Sequence, residues 1–424
     1  THYLGGICVH KKRLALAAVC VALVTLCAMP VFGAKKVTIT YGNFSAGSDN
    51  EPTLNAMKAA FEKANPDIEV KLQSTGFGEY FRLLQTQVAG GTAPDCYELN
   101  YENFVAFAAK NALADLGPLA KAAGVSFDGY DANALDAFKY KGKQYGVPGS
   151  YSVVLLFYNK DLFDRAKVAY PNDNWTWKDV IESGKKIRAL GDDTFGIIQT
   201  VQFWEFYKTI AQNGGSLFNA DRTKFTVNSP ENVEALQYMV DKIIKYNIEP
   251  TQAQKSNQGE WDMFAAGKVG MLITGNWAFT YMKDKCKFRW DIAVEPGNKQ
   301  KACHFFSNGY AINKSSKKQQ EAMRWITWLA SSRESSMLRL EAGWETPPVS
   351  DKSVIDAYIA ERPPDNRKAV FDSLKYLVTP PVIEQFNEMA EIVDLQLQKA
   401  RDGEKTPKQA LDDAQRELEQ KIKL

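Results

Sequence analysis

From Val37 onward the chain reads strand, helix, strand, helix, strand, and no other feature narrows its possible folds as much. KVTITYG alternates apolar and polar residues and predicts a first strand. EPTLNAMKAAFEKANP carries Leu54, Met57 and Phe61 on one helical face and stops before Pro66, which cannot continue a helix. DIEVKLQ predicts a second strand, a helix through Leu84 and Val88 ends at Gly90-Gly91, and PDCYELN predicts a third strand. Strands alternating with helices imply an α/β fold, a mostly parallel sheet with helices on both faces. The 424 residues leave room for two or three such units.

The pattern then changes. YKGKQYGVPG predicts a hairpin, and SVVLLFYNKDLF is a long apolar strand running into a helix. In NWTWKDVIESGKKIRAL, Thr176 and Asp179 have capping-box spacing and Trp175 can staple onto Val180, which makes Trp175 a core residue. SPENVEALQYMVDKIIKY is an amphipathic helix with Val233, Leu236, Val240 and Ile243 on one face. Trp325 and Trp328 lie one turn apart on QQEAMRWITWLASS and read as core, while PKQALDDAQRELEQKIKL predicts a charged amphipathic helix packed on the surface.

GKVGMLITGNWAF (Gly267 to Phe279) is an apolar strand that ends in a glycine, an amide and an indole. Ligands of open α/β sheets sit beyond the carboxyl ends of the strands. There Gly275 lets the backbone approach closely, Asn276 offers a donor and an acceptor or caps the following helix, and Trp277 offers a flat apolar face. The plain alternative is a strand-to-helix turn with a core tryptophan. Other strand ends carry the same chemistry: Asn43, Phe44, Ser45 and Ser48; Phe77 and Tyr80; Asn100 and Tyr101; Ser150 and Tyr151; Asn308; Trp344. Aromatic rings mixed with uncharged hydrogen-bonding groups are what a small-molecule pocket needs. The stretches GNFSAGSDNEP, ELNYENF, VPGSYS, GNWAF, FSNGY and GWETPP hold no Lys or Arg, whereas a phosphate or carboxylate ligand wants a cation or a helix end. Asp49, Glu102 and Glu345 nearby would tolerate a cation. A neutral sugar therefore ranks first and an amine second.

Several classes are disfavoured. A formal charge of +2 without clustered Lys and Arg argues against nucleic-acid binding. Beyond His2 and His10 only His304 remains, and no Ser–His–acid set, phosphate-binding loop or HExxH is present. An acid pair for glycoside hydrolysis stays open among the many carboxylates. No CxxC pair points to a metal. Lys11, Lys12 and Arg13, the uncharged stretch from Leu14 to Met29 and then VFGA read as a secretory leader over residues 1–33. Its removal takes the three positive charges and changes +2 to −1. Cys20 and Cys27 lack the small preceding residue that lipidation requires, so a lipid anchor is the less favoured reading. Of Cys96, Cys286 and Cys303, the last two flank a strand–turn–strand segment and either bridge or stay as small core residues.

The stretches FEKANPDIEVKLQ, GGTAPDCYELN, YGVPGSYSVVLLFYNKDLF, WTWKDVIESGKKI, FAAGKVGMLITGNWAF and FSNGYAINKSSKK, in this order and spacing, resemble the bacterial extracellular solute-binding proteins of family 1. These are binding components of ABC importers and include the maltose-binding proteins. The resemblance implies a two-lobed periplasmic binding protein fold of type II, with a hinge crossed more than once. It implies one lobe at 34–150 with 296–345 and another at 151–295 with 346–424. It implies a sugar or oligosaccharide held between lobes that close on it, then delivery to the importer's membrane permease, by a periplasmic monomer without cofactor or metal. The loops at the family's ligand-contact positions hold Asn43, Phe77, Asn100, Tyr151, Trp204, Trp261, Asn276, Trp277, Glu295, Asn308 and Trp344. Trp204 and Trp261 stand either there or inside the second lobe. The alternatives are a polyamine or polyol receptor of the same fold and a secreted carbohydrate-active enzyme.

Overall fold

The computed structural model describes residues 36–47, 50–128, 130, 132–346, 348 and 352–424. The leader with Cys20 and Cys27, and Ser48 and Asp49, lie outside the described residues. Among the described residues no helix is long and apolar enough to cross a membrane.

β1 (Val37–Asn43) runs parallel to β2 (Ile68–Ser74) and β3 (Cys96–Asn100), which flank it. The crossovers pass through α1 (Glu51–Ala64), which buries Leu54, Met57 and Phe61, and α2 (Phe77–Ala89). α3 (Tyr101–Ala109) starts where β3 ends, and Asn100 caps it by accepting from the Asn103 amide. Next comes the hairpin of β4 (Lys139–Tyr140) and β5 (Lys143–Gln144), with Lys141 and Gly142 both at positive φ, as a tight hairpin turn of the right twist requires.

β6 (Gly146–Asn159) decides the architecture. Its first part pairs with β10 (Cys303–Ile312), and from Val154 it pairs with β8 (Val269–Gly275) and β9 (Trp290–Ala293). One strand thus passes from one half of the sheet to the other. The second half adds α4 (Trp177–Arg188), β7 (Phe195–Ile198), α5 (Phe203–Gln212), α6 (Pro230–Ile244) and α7 (Glu260–Ala265). β7 runs parallel to β8. β10 returns, pairing with β6 and then with β3, and α8 (Gln319–Ser331) and α9 (Arg333–Glu341) follow it. The chain ends in α10 (Phe386–Arg401) and α11 (Pro407–Lys421). The strand order is β2-β1-β3-β10-β6-β8-β7. The sheet is mixed: the outer strands are parallel, and the crossing strands β6 and β10 are antiparallel to their main-sheet neighbours, because neither is joined to them by a β–helix–β crossover.

Two sets of apolar cores result. Leu54, Phe61, Tyr310 and Trp325 pack on one side, with Trp328 stacked on Trp325. Phe206, Leu236, Met389 and Leu411 pack on the other, so α11 buries an apolar stripe while its charged face stays in water. Asp179 accepts from both the backbone and the hydroxyl of Thr176, and Trp175 packs with Val180. Cys96, Cys286 and Cys303 are free thiols; Cys303 is buried in β10, and the Cys286 sulfur lies against Met282, so the Cys286–Cys303 bridge is not formed.

Candidate functional site

A cavity of about 480 Å³ lies where the crossing strands leave the two halves. Its size falls within the range of pockets that enclose small molecules. The first half contributes Phe44, Phe77 and, from β10, Phe306; the second contributes Trp204, Trp261 and Trp277. Phe306 joins two of these rings, lying 5.9 Å from Trp204 and 5.7 Å from Trp277. Trp261 is fixed by its indole N–H donating to Thr274 at 3.2 Å. Phe77, 50% exposed, stands at the mouth with its edge toward Phe44.

The glycine of GNW is explained by close approach. A Cβ on Gly275 would fall 2.0 Å from the Trp277 ring, which folds back over the backbone at that point. Asn276 serves the strand fork instead of the cavity. Val153 sits where β6 changes partners, and its N–H donates to the Asn276 carboxamide oxygen at 3.0 Å. The amide NH₂ reaches Thr346 and Tyr358. An unpaired buried N–H costs about 1–3 kcal/mol, so an amide in this place completes the ladder rather than capping a helix.

The polar wall is rich in carboxyl groups and free of Lys and Arg among the described residues. Glu345 accepts from the Ser150 hydroxyl at 2.5 Å and from Asn308 at 3.1 and 3.2 Å, with Arg339 behind it at 3.9 Å. Glu205 is paired with Lys208 at 2.8 Å, and Lys208, fully buried, also pairs with Glu295. Burial opposes the Lys208 charge, but the two carboxylates overcome it and hold the ammonium above its ordinary range. Burial likewise opposes charge on Glu205, and Lys208 outweighs it and keeps Glu205 ionised. Burial pushes Glu295 up to about 7. His304 bonds through Nε2 to the Trp204 carbonyl, and burial pushes it down to about 3, so the ring is neutral and Nδ1 offers a lone pair. Glu260 accepts from Thr200 at 2.6 Å. Burial pushes Glu102 up to about 8, and one of its oxygens has no partner among the described residues. Glu98 lies under the floor and accepts from the Phe44 and Ser45 amides, which fixes that loop.

Of the residues expected from sequence, Phe77, Asn100, Trp204, Trp261, Trp277 and Asn308 border the cavity. The other five do not. Asn43 donates to Ser74 between β1 and β2. Tyr151 stacks on Phe305 and donates its N–H to Thr346. Asn276 holds the strand fork. Glu295 is the far partner of Lys208, and Trp344 lies beneath the Arg339 guanidinium in the first core. Nothing in the sequence singled out Glu205, Glu260, Thr274, His304 or Phe306 as cavity residues. The apolar–acid alternation of FWEFYK gave no sign that Glu205 would face a cavity with its cation behind it. A larger open groove of about 760 Å³ lies on the outer face between α4 and α6, away from the crossing strands. Among the described residues no cluster of His, Cys, Asp or Glu could hold a metal.

The sequence matches the profile of the bacterial extracellular solute-binding proteins over residues 47–334. The chain belongs to that family. An ABC substrate-binding protein of Listeria monocytogenes, solved in complex with cycloalternan, is 43% identical, with a TM-score of 0.88 over 91% of this chain and 98% of that one. The arabinooligosaccharide-binding protein of Bacillus subtilis is 25% identical over 86% of this chain and 88% of its own length. The GacH receptor of Streptomyces glaucescens, at 21% identity and a TM-score of 0.80 over 91% and 98%, shares the fold. The fold is the type II periplasmic binding protein fold.

Proposed function

We propose that the chain is the extracytoplasmic receptor of an ABC importer and that it binds an oligosaccharide in the 480 Å³ cavity, with cycloalternan first among candidates. The observation that carries this is the wall itself: six aromatic side chains and a set of amides, hydroxyls and carboxyls, with no bordering cation among the described residues. Rings cover the C–H faces of a sugar, and the polar groups exchange hydrogen bonds with its hydroxyls. Similarity to the Listeria protein, solved in complex with cycloalternan, supports that choice.

The two halves act as lobes, one built on 34–150 with 296–345 and the other on 151–295 with 346–424, and the crossings fall within β6, between β9 and β10, and near Thr346. Closure is driven by contacts that both lobes make to one ligand. The receptor works as a monomer in the periplasm after loss of the leader, hands its ligand to permease subunits and leaves it chemically unchanged.

Titration calorimetry on the mature chain tests this with cycloalternan, maltotriose, an arabino-oligosaccharide, mannitol and putrescine. Saturable binding of an oligosaccharide, recovered intact, is the expected result. Saturation by putrescine alone, or cleavage of the sugar, overturns it.

A further inference from the structure

Glu102 stands apart from the other acids of the cavity. It lies in the first turn of α3, in the first half, and is 1% exposed. Glu205 has Lys208 and Glu345 has Arg339, whereas one Glu102 oxygen is buried without a partner among the described residues. The titratable and charged groups around it are few. From α5 come Tyr207, whose hydroxyl is also buried and partnerless and whose ionisation Glu102 and Glu205 both oppose, and Glu205 with Lys208 behind it. β10 presents the neutral His304. β3 holds Glu98, turned toward the Phe44 and Ser45 amides, and on α3 itself Tyr101 feels Arg222.

The two halves meet beside Glu102, which lies within electrostatic reach of Tyr207 of the second half. The next residue, Asn103, accepts from Asn387 of α10 at 3.0 Å, and a second contact across the gap joins Tyr140 of the β4–β5 hairpin to Glu384 at 2.9 Å. Separating the halves breaks both contacts and gives the first turn of α3 to water.

We propose that ligand capture by this chain takes up a proton at Glu102, whose carboxyl passes from water into the cavity as the halves close and enters it as the neutral acid. This rests on the receptor reading above. In water a glutamate titrates near about 4.3; in the closed arrangement burial holds Glu102 at about 8. Between those values the closed form binds more protons than the open one. Capture is therefore favoured at low pH and weakens as pH rises, by up to about tenfold per pH unit for one proton, levelling off above about 8. The neutral acid also donates a hydrogen bond, which a carboxylate cannot do.

The test is calorimetry with cycloalternan at pH 7 in buffers of different ionisation enthalpy, and affinity from pH 6 to 8.5, for the wild type and Glu102→Gln. Uptake approaching one proton in the wild type and none in the variant, with the variant's affinity flat in pH, is expected. Equal uptake in both, no uptake in the wild type, or a loss of more than about a hundredfold in the variant at pH 6 overturns the proposal and leaves the receptor reading standing. If cycloalternan does not bind, that choice of ligand fails by itself. The proton is then read on an Asn103→Cys, Asn387→Cys cross-linked protein, closed without sugar. A protonated-carboxyl infrared band at pH 7 that Glu102→Gln removes supports the proposal, and its absence overturns it.

Discussion

Replacing Lys208 by Met puts the electrostatics of the second half to a direct test. Lys208 is fully buried and bridges Glu205 on its own helix and Glu295 before β10. Met keeps the apolar stem and removes the charge, leaving two buried carboxyls without a cation. Breaking a buried pair in this way costs about 3–5 kcal/mol. The loss carries its own pH signature. In the wild type Glu205 stays ionised on folding, because Lys208 outweighs burial. In the variant burial outweighs the remaining Gln199 hydrogen bond, the folded pKa of Glu205 rises above the unfolded value, and the fold must take up a proton. A raised carboxyl pKa stabilises less as pH rises, so the deficit shrinks on acidification. One carboxyl contributes about 1.4 kcal/mol per unit, or about 2.7 kcal/mol between pH 7 and pH 5. Urea unfolding followed by circular dichroism at both pH values measures it. A deficit under 1 kcal/mol at pH 7, or one that does not change with pH, would refute the reasoning. Adding Glu205→Gln and Glu295→Gln to the variant recovers most of the stability.

Four further outcomes follow from named contacts. Gly275→Ala forces a methyl into the Trp277 ring and costs about 1–3 kcal/mol; sugar affinity falls with it, read by calorimetry alongside thermal unfolding. Asn276→Ala leaves the Val153 N–H unpaired and costs about 1–3 kcal/mol of stability in a urea titration, while no cavity-wall group is removed. Trp204→Ala removes a ring that borders the cavity and weakens oligosaccharide binding by about 2 kcal/mol or more, the scale of an aromatic hot spot, in a calorimetric titration. Because Cys286 and Cys303 are free, a thiol reductant leaves the melting temperature unchanged, and a drop of several degrees would contradict the structure.

Much of the fold could be read locally. The first strands and helices, the capping box at Thr176 and the hairpin at Lys141-Gly142 depend on residues within a few positions of one another. So does the buried face of Leu54, Met57 and Phe61. The mixed sheet could not be read that way, because the direction of β10 against β3 and β6 is fixed by a return from the second half. The cavity splits along the same line. Trp277 stands at a visible strand end, whereas Asn308 lies inside β10, paired with both β3 and β6. Glu205 and His304 lie inside elements whose inward face is set only when the halves meet, and Asn276 looks like a ligand amide until the missing ladder bond at Val153 is seen.

The most direct measurement is a crystal structure of the mature chain grown with cycloalternan. The account predicts sugar density between Trp204, Trp277 and Phe77, with hydroxyls on Asn308 and Glu102 and no cation beside it. Sugar seated only in the outer groove between α4 and α6, with the cavity between the halves empty, would contradict it.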